Sequence, residues 1–244
     1  MSDRTIIIGD IHGCRSELER LLDRLAPTQD ETLVFLGDYV DRGPDSPGVI
    51  ARLLQLRAER PDTVFLRGNH DEMLLSFLRL VEHGHGYAYL YTANGGVSTL
   101  EQYGCPPMAV SWCMHTGAIP DGDTLAELRA CFPAEHLDFL SSTQLYYKTD
   151  ELLCVHAGVL PGVPLEQQGA DVLLWVREEF ILGPNELPQT IVYGHTPTHD
   201  RGFEPRWDCD NRKVGIDTGC VYGGYLTALR WPSRETVRVR TSVD

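Results

Sequence analysis

No stretch of this sequence approaches the roughly 18 consecutive apolar residues that a membrane-spanning helix needs. The first apolar run, Ile6-Ile7-Ile8, stops at Gly9-Asp10 and is too short for the core of a signal peptide. There is no C-x-x-C pair, and the cysteines at 14, 105, 113, 131, 154, 209 and 220 are odd in number. That pattern argues against a disulfide scaffold and for free thiols in a reducing cytoplasm. Basic residues are in deficit, 21 Lys+Arg against 35 Asp+Glu, for a net charge of −14. Such a balance speaks against a nucleic-acid or anionic-membrane partner. It also poses a question for any anionic substrate, which bound divalent cations would answer locally. Internal repeats and low-complexity tracts are absent as well.

What is present fits one large domain over residues 1–244. Of its 244 residues, 42% are hydrophobic and 9% aromatic, enough for a sizeable core. Strands are expected at Thr5–Ile8, Thr32–Leu36 and Thr63–Leu66. Helices are expected at Arg15–Leu25, Pro47–Leu56 and Asp71–Val81, from their apolar spacing. This alternation predicts a parallel sheet covered by helices. Residues 84–145 lack such regularity and read as a helical or irregular insertion. The last third is rich in strand signals, at Leu145–Lys148, Leu152–Val155, Thr190–Tyr193, Lys213–Ile216, Leu226–Leu229 and Thr236–Arg240. Shared between two sheets, these strands would form an inner β-sandwich flanked by helices.

Polar clusters close the strands: Gly9-Asp10-Ile11-His12-Gly13, Gly37-Asp38-Tyr39-Val40-Asp41-Arg42-Gly43, Gly68-Asn69-His70-Asp71, His156-Ala157-Gly158 and Gly194-His195-Thr196. Any one of them could be an ordinary turn. Five after five apolar runs point instead to one cleft, because ligand sites in open α/β sheets lie at strand carboxyl ends. Oxygen and nitrogen donors without thiolate suit Mn²⁺, Fe, Zn²⁺ or Mg²⁺. Six such donors exceed one open site, and a carboxylate shared by two ions fits better.

In this order the five motifs resemble the calcineurin-like metallophosphoesterases, and more narrowly the phosphoprotein phosphatase group. The resemblance implies a four-layer α/β/β/α sandwich around two divalent ions, Mn²⁺ first, with Fe, Zn²⁺ or Mg²⁺ as alternatives. Carried over position by position, it implies that Asp10 and His12 bind the first ion, that Asp38 bridges, and that Asn69, His156 and His195 bind the second. It further implies His70 as general acid, Asp41 as the group that holds its ring, and Arg42 on the phosphoryl oxygens. A second phosphate arginine is expected between the last two ligand histidines. Arg177 is the candidate, with Arg201 the weaker option.

The chemistry suits the residues. Two cations offset the negative charge of a phosphate ester and make hydroxide available near neutral pH. A protonated His70 can supply the leaving oxygen with its proton. Arginine forks match phosphate oxygens. No Ser or Cys nucleophile is called for, so hydrolysis is expected to be direct. The favoured activity is that of a bacterial serine/threonine protein phosphatase or broad phosphomonoesterase, acting on phosphorylated protein, peptide or a small phosphate ester. The alternative is a symmetrical bis(5'-nucleosyl)-tetraphosphatase. The shortness of the chain and the Asn94-Gly95-Gly96 and Leu174-Trp175-Val176-Arg177-Glu178 segments favour the former. A non-catalytic binding module is the remote third reading. Asp71 is expected to cap the following helix, His83 and His85 to sit in a solvated loop, and Cys14 and Cys220 to pack near the cleft. Asp217 either orients a ligand histidine or serves a turn.

Overall fold

The computed structural model describes residues 4–81, 90–117, 120–208, 210 and 212–242. His83 and His85 lie outside them. Two five-stranded sheets form the centre. The first contains β1 (Arg4–Ile8), β2 (Glu31–Phe35), β3 (Val64–Phe65), β9 (Tyr225–Trp231) and β10 (Glu235–Arg240), in the order β10-β9-β1-β2-β3. The second contains β4 (Tyr146–Lys148), β5 (Leu152–Val155), β6 (Thr190–Tyr193), β7 (Arg206–Asp208) and β8 (Lys213–Gly215), in the order β4-β5-β6-β8-β7. β1, β2 and β3 run parallel, as do β5, β6 and β8, with antiparallel strands at the edges. The central strands are almost wholly apolar because both of their faces are covered.

One layer of packing lies between the sheets. Ile7, Val34, Leu36 and Leu229 from the first meet Leu152, Cys154, Val192 and Val214 from the second. On the outer face of the first sheet, Ile6, Ile8, Leu33 and Phe35 pack against α1 (Arg15–Leu25) and α2 (Ser46–Glu59). On the outer face of the second, Leu153, Val155, Ile191 and Tyr193 receive Leu173 of α8 (Ala170–Trp175) and Phe180 of α9 (Glu178–Ile181). The order of layers is α/β/β/α, as expected.

The sequence marks α1 and α2 well. Leu18, Leu21, Leu22 and Leu25 form the buried stripe of α1, and α2 opens on Pro47 with Asp45 capping the Gly48 amide at 2.8 Å. The helix expected to reach Val81 is shorter. α3 runs Asn69–Phe77, because the chain turns out of the helix at Arg79 with φ of +51°. The expected irregular insertion is largely helical where described: α4 (Val97–Gln102), α5 (Pro107–Thr116), α6 (Gly122–Ala130) and α7 (Ala134–Ser141). Leu100, Val110, Leu128 and Phe139 carry it into the same core as α1 and α2. β7 is the missed strand. It is short, half-buried and carries no apolar run, and it forms by pairing with β8. Among the described residues no helix is long and apolar enough to cross a membrane.

Glu17, inside α1, ties the far end of the chain down. Its buried carboxylate accepts from the Ser242 amide and hydroxyl, at 2.9 and 2.6 Å, and from Arg20 at 2.8 Å. Burial pushes the carboxyl up, but the Ser242 and Ser16 hydrogen bonds outweigh it and lower the pKa to about 2. A folded-state pKa below the unfolded one adds stability above the unfolded value, and that stability is lost as pH falls through the folded value. Glu17→Gln should therefore lower the urea midpoint at pH 7 and flatten its decline between about pH 4.5 and 2. An unchanged acid limb in that variant would remove Glu17 from the account.

Candidate metal centre and phosphate site

The parallel strands put their carboxyl ends together. The loops after β1, β2 and β3 meet those after β5 and β6, stitched by Gly194 N–H to His156 O (2.8 Å) and His156 Nδ1 to Leu36 O (2.9 Å). Asp10, His12, Asp38, Asn69, His70, His156 and His195 are all buried there. The backbone is held in an unusual shape to achieve this. Among the described residues ten non-glycine positions have positive φ, and five belong to the cluster: His12, Asp38, Asp41, Arg42 and His195. Each such residue costs on the order of 1 kcal/mol or more and persists only where its surroundings impose it. Asp71 is one imposing group. Its carboxylate accepts from the Gly68 amide at the start of α3, and also from the Asp38 and Tyr39 amides, at 2.9–3.0 Å. The expected helix cap thus also clamps the loop that presents Asp38.

Glycine is required at two contacts. A Cβ at Gly194 would strike the Asp10 carboxylate, and one at Gly68 would strike the Asp38 carboxylate and backbone. The strand ends carry glycine because a carboxylate occupies the space a side chain would fill.

The donor atoms face one another in a way that calls for cations. His12 and His156 spend Nδ1–H on the Val40 and Leu36 carbonyls, which turns each Nε2 lone pair into the cluster. His156 Nε2 then lies 2.9 Å from Asn69 Oδ1 and 3.6 Å from Asp38 Oδ1, an acceptor facing acceptors. His195 Nδ1 meets the same Asn69 oxygen at 2.8 Å, while its Nε2 and Asp10 Oδ1 are buried without a hydrogen-bond partner. Burial lowers the pKa of His156, and burial together with the neighbouring His156 and Arg177 lowers that of His195, so both rings are neutral lone-pair donors near pH 7. Burial raises the Asp10 carboxyl, with Asp217 and Asp38 adding repulsion. A positive ion resolves each of these conflicts. Two groups of three ligand atoms, each within 4.8 Å of one another, occur: His12 with Asp38 and His70, and Asp10 with Asp38 and His156. Asp38 is common to both, but the groups differ from the expected sets: His12 falls with His70, the expected general acid, and Asp10 falls with His156 instead of with His12.

Beside the cluster, His70 Nδ1 lies 2.7 Å from Asp41 Oδ2, and Thr99 Oγ1 donates to Asp41 Oδ1 at 2.6 Å. Thr99 fixes the carboxylate that fixes the imidazole. Thr99 follows the Asn94-Gly95-Gly96 segment, but nothing local gave it this role, because its partner Asp41 is 58 residues away in sequence. Arg42 Nη1 reaches His12 Nε2 at 2.8 Å, and its guanidinium carbon lies 5.5 Å from the Tyr222 ring centroid, a second contact to which the sequence gave no role. Gly95, with φ of +102°, lets the chain pass against the Arg42 side chain. Arg177 is exposed at the start of α9, its Nη1 donating to Thr196 Oγ1 at 3.4 Å, next to His195. Among the described residues it forms no ion pair with Glu178 or Glu179. Arg201 pairs with Asp208 at 3.8 Å away from the cluster. Asp217 accepts from the Gly219 amide at 3.0 Å, the turn role, and its carboxyl also lies within electrostatic reach of His12. Cys14 and Cys220 are buried in the core next to each other; the hydrogen-bonding contact with Cys14, and then burial, push the Cys220 thiol up.

α9 is anchored by a buried lysine. Lys213 Nζ, on β8, donates to the carbonyls of Phe180, Ile181 and Gly183 at 2.7–2.9 Å and lies 4.9 Å from the Phe180 ring centroid. All three of its protons are used, on carbonyls at and just past the end of a helix. Lys213→Met would strand those carbonyls, at about 1–3 kcal/mol for a buried unsatisfied group. It should lower Tm by several degrees and raise KM for a phosphate ester more than it lowers kcat, because Arg177 begins the same helix. A variant with normal KM would show that the anchor is structural only.

The sequence profile of the calcineurin-like phosphoesterases matches residues 4–230. The chain belongs to that family, and it is a phosphoester hydrolase of the metallophosphoesterase class, whose members use divalent metal ions. Its relatives include PrpE, an asymmetrical bis(5'-nucleosyl)-tetraphosphatase of Anoxybacillus flavithermus, 33% identical over 97% of this chain and 94% of the relative. The protein of that name from Bacillus mycoides is 31% identical over the same shares. A crystal structure assigned as a diadenosine tetraphosphatase superposes with a TM-score of 0.63 at 28% identity, covering 99% of this chain and 95% of the other. A serine/threonine phosphatase of Saccharomyces cerevisiae superposes at 0.56 over 100% and 81%, with 14% identity, a likeness of fold. Relatives of matching length carry the tetraphosphatase name, so a short chain does not favour the protein phosphatases.

Proposed function

We propose that this chain hydrolyses dinucleoside tetraphosphates asymmetrically, with two divalent ions and Mn²⁺ as the resident metal. The similarity to the asymmetrical tetraphosphatases over nearly the whole length of both chains carries the substrate. The opposed acceptors around Asp38 carry the metals. In this reading Asp10 and His12 would hold one ion, Asn69, His156 and His195 the other, and Asp38 would serve both. The ions supply charge neutralisation and a water of lowered pKa.

The protein does the rest. Arg42, steadied by Tyr222, and Arg177 grip the non-bridging phosphoryl oxygens and line up the bond to be broken. Thr99 and Asp41 orient the His70 ring, which hands a proton to the departing oxygen. Clamping by Asp71 keeps the Asp38 loop in place through the cycle. A net charge of −14 is compatible with an anionic substrate because its charge is met at these few groups.

The test is a panel on Mn²⁺-loaded protein: diadenosine tetraphosphate, phosphoserine, phosphothreonine and phosphotyrosine peptides, and p-nitrophenyl phosphate. The dinucleotide should show the highest kcat/KM and yield AMP and ATP. ADP as the product would mean symmetrical cleavage, and a phosphopeptide outrunning the dinucleotide would return the protein phosphatase reading.

A further inference from the structure

A groove of about 540 Å³ opens beside Arg177. This is within the roughly 300–1,000 Å³ of small-molecule sites. Its wall has two characters. Leu160, Trp175 and Val176 are apolar, while Asp171, Glu178 and Glu179 are acidic. Arg177 is the one cation among the described residues that line it, and it stands at the end nearest the metal cluster, on Thr196. The Trp175 ring lies 6.1 Å from the His195 ring centroid to centroid, edge to face. At that separation the two rings are in edge-to-face contact, so the indole adjoins His195 directly and the groove begins beside the metal cluster.

We infer that this groove takes the nucleoside bonded to the phosphorus under attack, with the base on Trp175 and the ribose hydroxyls toward the carboxylates. The inference rests on the dinucleotide reading above. Bases stack on aromatic rings whatever their identity. A carboxylate accepts hydrogen bonds from a neutral diol and repels a phosphate. Three carboxylates in the groove's wall against one arginine repel a polyphosphate tail from it. A nucleoside seated in a groove that starts at His195 puts its own phosphate closest to the cluster, so the reacting phosphorus is the α-phosphorus.

Water oxygen bonds to the α-phosphorus, and the bond from that phosphorus to the oxygen bridging to the β-phosphate breaks. The electron pair leaves with the nucleoside triphosphate, and the nucleoside monophosphate keeps the water oxygen. Attack on the β-phosphorus would give the same two products with that oxygen in the triphosphate.

Two measurements on the full chain with Mn²⁺ decide it. Hydrolysis of diadenosine tetraphosphate in ¹⁸O-water should place the label in AMP, read by mass spectrometry. In Trp175→Ala, the ratio of kcat/KM for the dinucleotide to that for p-nitrophenyl phosphate should fall roughly 5- to 100-fold, the worth of one stacked base, and Trp175→Phe should restore most of it. The ratio cancels any damage done through His195, which both substrates share. Label in ATP, or an unchanged ratio with the dinucleotide still hydrolysed, overturns the groove assignment and leaves the substrate reading standing. Failure to hydrolyse the dinucleotide at all, with p-nitrophenyl phosphate turned over, overturns both.

Discussion

Asp38→Asn should bind less than two metal ions per chain and lose turnover by on the order of 10³-fold or more, since a shared cation site supplies several kcal/mol to the transition state. The change is small in shape. Asparagine tolerates positive φ as aspartate does, and Asp38 sits at +53°. Its Oδ1 accepts the His70 amide at 2.9 Å, which an amide oxygen can also do. The backbone clamp through Asp71 does not involve the side chain of residue 38 at all. What changes is charge. Burial pushes the Asp38 carboxyl up, but the imidazoles of His156, His70 and His12 outweigh it and hold the pKa well below the usual carboxylate value, so the side chain is an anion in the folded protein. Removing that anion leaves Asp10 as the one carboxylate in the proposed ligand set. Metal content by mass spectrometry, beside a circular-dichroism melt, checks the result. Two ions per chain in a folded Asp38→Asn protein would end the bridging assignment.

The parts of this site that could be read from the sequence are those fixed by the chain's own local geometry. A strand that ends in Gly-Asp or Gly-His announces itself twice, by its apolar run and by the residue that a sharp turn admits. The two sheets then had to bring such ends together, since the same residue types recur after β1, β2, β3, β5 and β6 and little else could employ them. Thr99 and Tyr222 stand in segments that the resemblance covers, but their roles escaped because nothing local specifies them. Each is an ordinary residue, on α4 or in the turn after Gly219, and becomes functional only when tertiary packing sets it on Asp41 or Arg42. Asp71 was half legible: its place at the start of α3 marks a cap, but nothing local says that its second oxygen holds Tyr39. The same limit explains the middle segment. Its helices are short and weakly amphipathic, and they form because α2 and α3 offer an apolar face to cover. β7, too, exists only by virtue of its partner.

Asn in place of His70 separates the two substrate classes by the chemistry of what departs. An alkoxide leaving from phosphoserine or phosphothreonine is strongly basic, so loss of the proton donor should cost about 10²–10⁴ in kcat, the usual worth of general acid catalysis. A nucleoside triphosphate leaves as a phosphate oxygen whose conjugate acid has a pKa of about 6. It needs little help, and His70→Asn should cost far less against diadenosine tetraphosphate. Metal content should survive, because His70 stands outside the proposed ligand set; loss of an ion in the variant would make His70 a ligand, as its place in a group with His12 and Asp38 allows. The pH profile carries the same distinction. Burial lowers the His70 pKa, and the nearby Asp38 and Asp41 carboxylates recover only part of the loss. The imidazolium is therefore depleted below the usual histidine range, and kcat for an ester with a basic leaving group should fall as pH rises from there. That falling limb should vanish in His70→Asn and be shallow for the dinucleotide with the wild-type protein. Equal penalties for both substrates would show that His70 acts on the attacking side or on the metals, and not on the leaving oxygen.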